Sequence, residues 1–142
     1  MAVLTAGRVG SYTRGPGQYR KFKVGSDIVY AGGIVSMLVS GGTGVILAGQ
    51  DTDNHRCVGI AMETVDGTGG DTPYCEVMTE GSVLLNSTGV TTAMVGTVAY
   101  ISDDQSVLNT GTSHDIIVGL IEEVDTTNAK AWVRLQPSHA TS

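Results

Sequence analysis

Ile116-Ile117-Val118-Gly119-Leu120-Ile121-Glu122-Glu123-Val124-Asp125, followed by Thr126-Thr127-Asn128 and then Ala129-Lys130-Ala131-Trp132-Val133-Arg134-Leu135-Gln136, settles the class of architecture. Two β-branched and apolar runs flank a turn of Asp, Thr and Asn, whose side chains bond their own backbone and, in Asn, tolerate positive φ. That is the pattern of a β-hairpin. The spacing predicts strands over Ile116–Val124 and Ala129–Gln136. Neither run shows the 3.6-residue period of an amphipathic helix.

The same grammar runs back to Asp27. Strands are predicted near Asp27–Tyr30, Ile34–Ser40, Val45–Gly49, Arg56–Val65, Tyr74–Glu80, Ser82–Leu85 and Thr97–Ser102, with one helical turn at Val90–Val95. Between them lie Gly41-Gly42-Thr43-Gly44, Asp66-Gly67-Thr68-Gly69-Gly70-Asp71 and Asp103-Asp104-Gln105. Short strands this closely spaced imply an all-β barrel or sandwich. Val58-Gly59-Ile60-Ala61-Met62-Glu63-Thr64-Val65-Asp66 echoes Val118-Gly119-Leu120-Ile121-Glu122-Glu123-Val124-Asp125 with one residue deleted, which points to two similar hairpins.

Ile116–Ile121, Ile34-Val35 with Met37-Leu38-Val39, and Val45-Ile46-Leu47 are apolar on both faces. A half-exposed strand alternates, so these runs need cover on both sides. With 142 residues in one domain, a second subunit is the favoured cover. Ile117, Ile121, Trp132 and Arg134 are the candidate self-contact residues.

Charge is split along the chain. Arg8, Arg14, Arg20, Lys21 and Lys23 precede the first acid, Asp27, and give residues 1–26 a side-chain charge of +5. The remainder carries −11, and the whole chain −6. Residues 1–25 hold Gly7, Gly10, Gly15, Pro16, Gly17 and Gly25 and few apolar side chains, so they read as an extended basic N-terminal arm. Residues 26–137 form the β domain and 138–142 a short tail. Within the arm only Gln18–Val24 has strand character, with Tyr19, Lys21 and Lys23 on one face and Arg20, Phe22 and Val24 on the other. Such a strand could add to another chain's sheet edge.

Sites of chemistry are not apparent. Asp51-Thr52-Asp53-Asn54 opens like a calcium loop, but Arg56 stands where that loop needs Gly and Met62 where it needs Glu. An acidic turn is expected there, and the pairs Asp66/Asp71 and Asp103/Asp104 are expected to form solvated acidic tips. His55, His114 and His139 are isolated and lack zinc-ligand spacing. The Gly-rich turns lack the Lys-Ser or Lys-Thr of a phosphate loop, and no Gly-x-Ser-x-Gly elbow occurs. Cys57 and Cys75 are expected to be buried free thiols. No apolar run spans a bilayer and the first ten residues contain no signal-peptide core. The aromatic and basic side chains of the arm could stack on nucleic acid, but an acidic body of −11 would repel phosphate. The expectations are therefore no enzyme activity, no cofactor, no metal, no nucleic acid and no membrane.

From Val29 to Pro137 the chain resembles the capsid decoration (cement, or head-stabilisation) proteins of tailed bacteriophages. The resemblance rests on Val29-Tyr30-Ala31-Gly32-Gly33-Ile34-Val35, Val58-Gly59-Ile60-Ala61, Gly96-Thr97-Val98-Ala99-Tyr100-Ile101-Ser102-Asp103, Val118-Gly119-Leu120-Ile121 and the closing Ala131-Trp132-Val133-Arg134-Leu135. It implies a small β-barrel or tulip-like domain of antiparallel strands, a homotrimer at threefold sites, and the major capsid protein as partner. The place would be the outer capsid surface of a virion, reached from the host cytoplasm. The arm residues Arg8, Tyr12, Arg14, Tyr19, Arg20, Lys21, Phe22 and Lys23 would bind the shell. Removing residues 1–25 should then leave a folded oligomer that no longer binds. Another phage structural part, a receptor- or glycan-binding head protein and a small trimeric β enzyme are the alternatives. The C-terminus lacks the Gly-rich arm that such an enzyme needs.

Overall fold

The computed structural model describes residues 3–8, 12–39, 42 and 44–136. Within them the chain is all-β: β1 (Thr13–Val24), β2 (Ile28–Val29), β3 (Ile34–Leu38), β4 (Val45–Ala48), β5 (His55–Ala61), β6 (Val65–Asp66), β7 (Tyr74–Asn86), β8 (Val98–Asp103), β9 (Ser106–Leu108), β10 (Ile117–Asp125) and β11 (Lys130–Leu135). A short 3-10 turn, Thr92–Met94, lies where the helical turn is expected. β2 and β6 pair with each other, and the other nine strands join in one mostly antiparallel sheet.

That sheet closes twice on β7. On one side β1, β4, β3, β5 and β7 follow one another in hydrogen-bonded order, and β1 returns to β7. On the other, β7, β11, β10, β8 and β9 do the same, with Ser106 of β9 returning to Asn86 of β7. The result is two five-membered rings sharing one strand. Closure leaves few unpaired strand edges, the feature that otherwise invites edge-to-edge association.

One strand can serve both rings because β7 is long. The sequence predicts a break between Glu80 and Ser82, yet Gly81 takes φ 132° and carries the strand across. A side chain there would strain the backbone.

The two-faced apolar runs find their cover inside the chain. Ile34, Ile60 and Met78 join the larger core cluster, while their neighbours Val35, Ala61 and Val77 join the smaller one. β3, β5 and β7 thus form a wall with a core on each face, and the expectation of a covering subunit is corrected for these strands. Ile116, Val118 and Ile121 are likewise buried in the larger cluster. Leu38 and Val39 remain exposed.

The internal echo is structural. Gly59 and Gly119 each follow a residue skipped in the ladder, Val58 between β3 and β5 and Val118 between β8 and β10. Each Val is the extra residue of a bulge. A Cβ on Gly59 would collide with the carbonyl of Met78 on β7, and one on Gly119 with the carbonyl of Arg134 on β11. Both Val-Gly pairs therefore let a bulged strand press against its neighbour's backbone.

Candidate partner-binding surface

Residues 13–24 are not a free arm. β1 pairs with β7 from Thr13↔Val83 to Lys23↔Tyr74, and with β4 at Lys23↔Val45 and Val24↔Ile46. The strand starts five residues before the expected Gln18, because Gly15-Pro16-Gly17 is absorbed as an irregularity between Arg14 and Gln18. A bulge is where a strand tolerates proline and glycine. The edge proposed for pairing with another chain is thus occupied by this chain's own β7. Removing residues 1–25 would therefore take out a wall of the first ring.

The eight expected contact residues fall into two groups. Arg8 donates from Nη1 to the Gly32 carbonyl at 3.0 Å and from Nη2 to the Leu84 carbonyl, and its guanidinium lies 4.9 Å from the centre of the Tyr12 ring. Tyr12 packs against the larger core and Phe22 against the smaller. Arg14 stacks 4.2 Å over Trp132 and pairs with Glu123 at 3.1 Å and Glu122 at 3.9 Å. These four are engaged within the chain.

Tyr19, Arg20, Lys21 and Lys23 are exposed. Strand alternation sets Tyr19, Lys21 and Lys23 on one face of β1, with Glu76 across from Lys21 and Tyr74 across from Lys23. Tyr19 and Tyr74 are 49% and 58% exposed, and the Lys23 ammonium lies 6.0 Å from the Tyr74 ring centre. Among the described residues, no ion pair engages Lys21, Lys23 or Arg20. Among the described residues, Glu76 is the only acid directly across the ladder from these bases. The surface therefore offers two ammonium groups and two tyrosines, partly offset by the Glu76 carboxylate and by Glu63 beside it, whose Oε2 accepts the Glu76 N–H at 2.9 Å. Arg20 sits on the opposite face of the strand. Tyr74 escaped the sequence reading, although the alternation Tyr74-Cys75-Glu76-Val77 signals it: Cys75 and Val77 are buried and the other two exposed.

The expected self-contact residues divide as well. Ile121 is 1% exposed and belongs to the core, which removes it from any contact surface. The strand pairing continues past a bulge between Ile121 and Glu123, which sets Trp132 across from Glu123. Ile117 and Trp132 are half-buried and Arg134 is exposed.

Elsewhere, two expectations are revised. Asp103 and Asp104 are buried rather than solvated. Asp103 Oδ1 accepts the Gln105 N–H, and Asp104 Oδ1 accepts the Leu4 N–H at 2.8 Å. Burial, with Asp103 and Asp27 nearby, pushes the Asp104 carboxyl up to about 6. His114 is not isolated, since Asp51 accepts its backbone N–H at 2.9 Å and stands 3.2 Å from Nδ1. His55 meets Ser36 Oγ at 3.1 Å, both buried, and desolvation lowers its pKa. His139 lies outside the described residues. Cys57 and Cys75 are free and buried, as expected. Among the described residues no group of three or more His, Cys, Asp or Glu is placed to hold a metal ion, and no helix is long and apolar enough to cross a membrane.

No protein-family model, no curated protein and no solved structure matches this chain.

Proposed function

We propose that the protein is a structural component of a tailed-phage virion, docking on the outer capsid surface and cross-bracing major capsid protein subunits. The observation that carries this reading is the β1 face bearing Tyr19, Lys21 and Lys23 beside Tyr74, exposed on a chain whose remaining charge is strongly negative. A strand already fixed in the sheet suits docking, because its backbone needs no further ordering on contact. Arg8 and Arg14 hold the fold together, and the docking residues are the strand's outward face rather than a free leader. In a homotrimer, with self-contact through Ile117, Trp132 and Arg134, three copies of this face would engage the shell together. Each engaged copy raises the effective concentration of the next.

The test uses purified heads stripped of the protein and re-incubated with wild type or with the double variant Lys21→Glu, Lys23→Glu. Both substituted positions are exposed, so the variant should fold normally. Wild type is expected to co-sediment with heads, more weakly as salt shortens the Debye length from about 10 Å at 0.1 M. The variant is expected to remain in the supernatant, while Arg20→Glu, on the other face, loses less. Equal binding by wild type and the double variant would remove the surface from the account. Two exposed tyrosines on one face also suit a receptor- or glycan-binding head protein, and a glycan array separates that case.

A further inference from the structure

A cavity of about 370 Å³ lies beside the N-terminal segment, and no β1 residue lines it. Leu4, Ile28, Tyr30 and Ala48 supply apolar wall, and Asp27 and Asp104 supply charge. The volume falls in the range of small-molecule sites, which combine apolar lining with a few placed polar groups. Asp104 is only 3% exposed, and one of its oxygens accepts the Leu4 N–H. Apart from its own backbone N–H, no further described residue donates a hydrogen bond to this carboxyl, and the side chain lines the cavity. Asp27 is held by the N–H groups of Ile28 at 2.8 Å and Ala48 at 3.0 Å, which fixes its carboxylate at the wall. Among the described residues no Lys, Arg or His pairs with either carboxylate. Buried negative charge without a counter-charge is costly, and a cation entering the cavity relieves that cost.

We infer that this cavity binds an organic ammonium ion, a primary amine whose alkyl body lies on Leu4, Ile28 and Ala48 while its head reaches Asp104. A divalent metal fits poorly: it needs six or more oxygen ligands or retained waters, whereas Asp27 already spends both oxygens on backbone donors. An anion would meet two carboxylates. The raised pKa of Asp104, due first to desolvation and then to Asp103 and Asp27, agrees with a carboxyl lacking a cation. Bound ammonium should draw it back down and release a proton near pH 6.

Isothermal titration of the full chain with n-hexylamine hydrochloride at pH 7.5 tests this, with hexan-1-ol and sodium hexanoate as controls. The amine is expected to bind, the alcohol at least tenfold more weakly and the carboxylate not at all. Asp104→Asn keeps the shape and the acceptor for Leu4 and is expected to lose at least tenfold in affinity. On wild type, affinity should fall by about tenfold per pH unit below pH 6, as protonation competes with the amine. Lys21→Glu, Lys23→Glu, which targets the docking face, should bind the amine like wild type. Equal affinity for alcohol and amine, or a wild-type affinity flat between pH 7.5 and pH 5, overturns the inference even if Asp104→Asn fails to fold.

Discussion

Replacing Gly119 by Ala tests the contact on which the second ring depends. A Cβ at this position lies 2.8 Å from the carbonyl carbon of Arg134 and 3.1 Å from Leu135 Cα, besides overlapping the Arg134 oxygen. These are backbone atoms, so no side-chain rotation relieves them. Ordinary non-bonded contact needs about 3.5 Å and the Arg134 oxygen is the nearest atom of all, so β11 must retreat by more than about 1 Å. The pairs Gly119↔Leu135 and Leu120↔Arg134 sit at this point of the ladder. Loosening about two ladder bonds costs on the order of 2 kcal/mol. Shifting the flanking buried Val118 and Ile121 adds about 1–2 kcal/mol. Removing a glycine from the unfolded chain returns about 0.5–1 kcal/mol. The net is a destabilisation of about 3 kcal/mol, or roughly 10 °C in Tm at this chain length. Gly89→Ala is the control, because its φ of 70° strains a side chain while open space surrounds it. About 1 kcal/mol is expected there. Thermal unfolding followed by circular dichroism measures both variants. A Gly119→Ala loss no larger than that of Gly89→Ala would refute the close approach of β10 to β11.

Arg8→Ala removes hydrogen bonds to the Gly32 and Leu84 carbonyls and should cost about 2–4 kcal/mol in denaturant unfolding. Arg8→Lys should recover only part of this, since one ammonium cannot reproduce the guanidinium fork. Asp104, raised to about 6, binds its proton more tightly folded than unfolded. It therefore favours the folded state below the unfolded carboxyl range, and that advantage is lost as pH rises toward 6, by about 2–3 kcal/mol. Asp104→Asn should flatten this part of the stability–pH curve in urea titrations between pH 4 and pH 7. Burial pushes Cys57 up to about 12 and Cys75 to about 11, so neither should react with a thiol reagent at pH 8 until denaturant is added.

Much of the fold was legible because β-branched runs and turn residues are local signals. β4, β8, β10 and β11 lie within about one or two residues of the expected spans, the usual scatter of strand ends. β9 was missed, because Ser106-Val107-Leu108 is too short to show alternation and is defined by its pairing with β8. The double closure on β7 was not legible. It depends on β1, whose Gly15-Pro16-Gly17 reads as a linker until β7 is set beside it. The same long-range pairing hid the roles of the basic residues. Composition groups Arg8, Arg14, Lys21 and Lys23 together, whereas carbonyls from distant segments take Arg8, and Trp132, Glu122 and Glu123 take Arg14. Burial of Asp103 and Asp104 was hidden for a similar reason, since paired acids at a turn normally mark solvent and here Leu4 of the N-terminal segment bonds Asp104.

A cryo-EM map of heads carrying the bound protein bears most directly on the proposed docking. The β1 face is predicted to lie against the capsid lattice, with Tyr19, Lys21, Lys23 and Tyr74 in contact and Leu84 and Arg8 inside the protein. A map with that face turned to solvent, or heads that take up no protein, would contradict it.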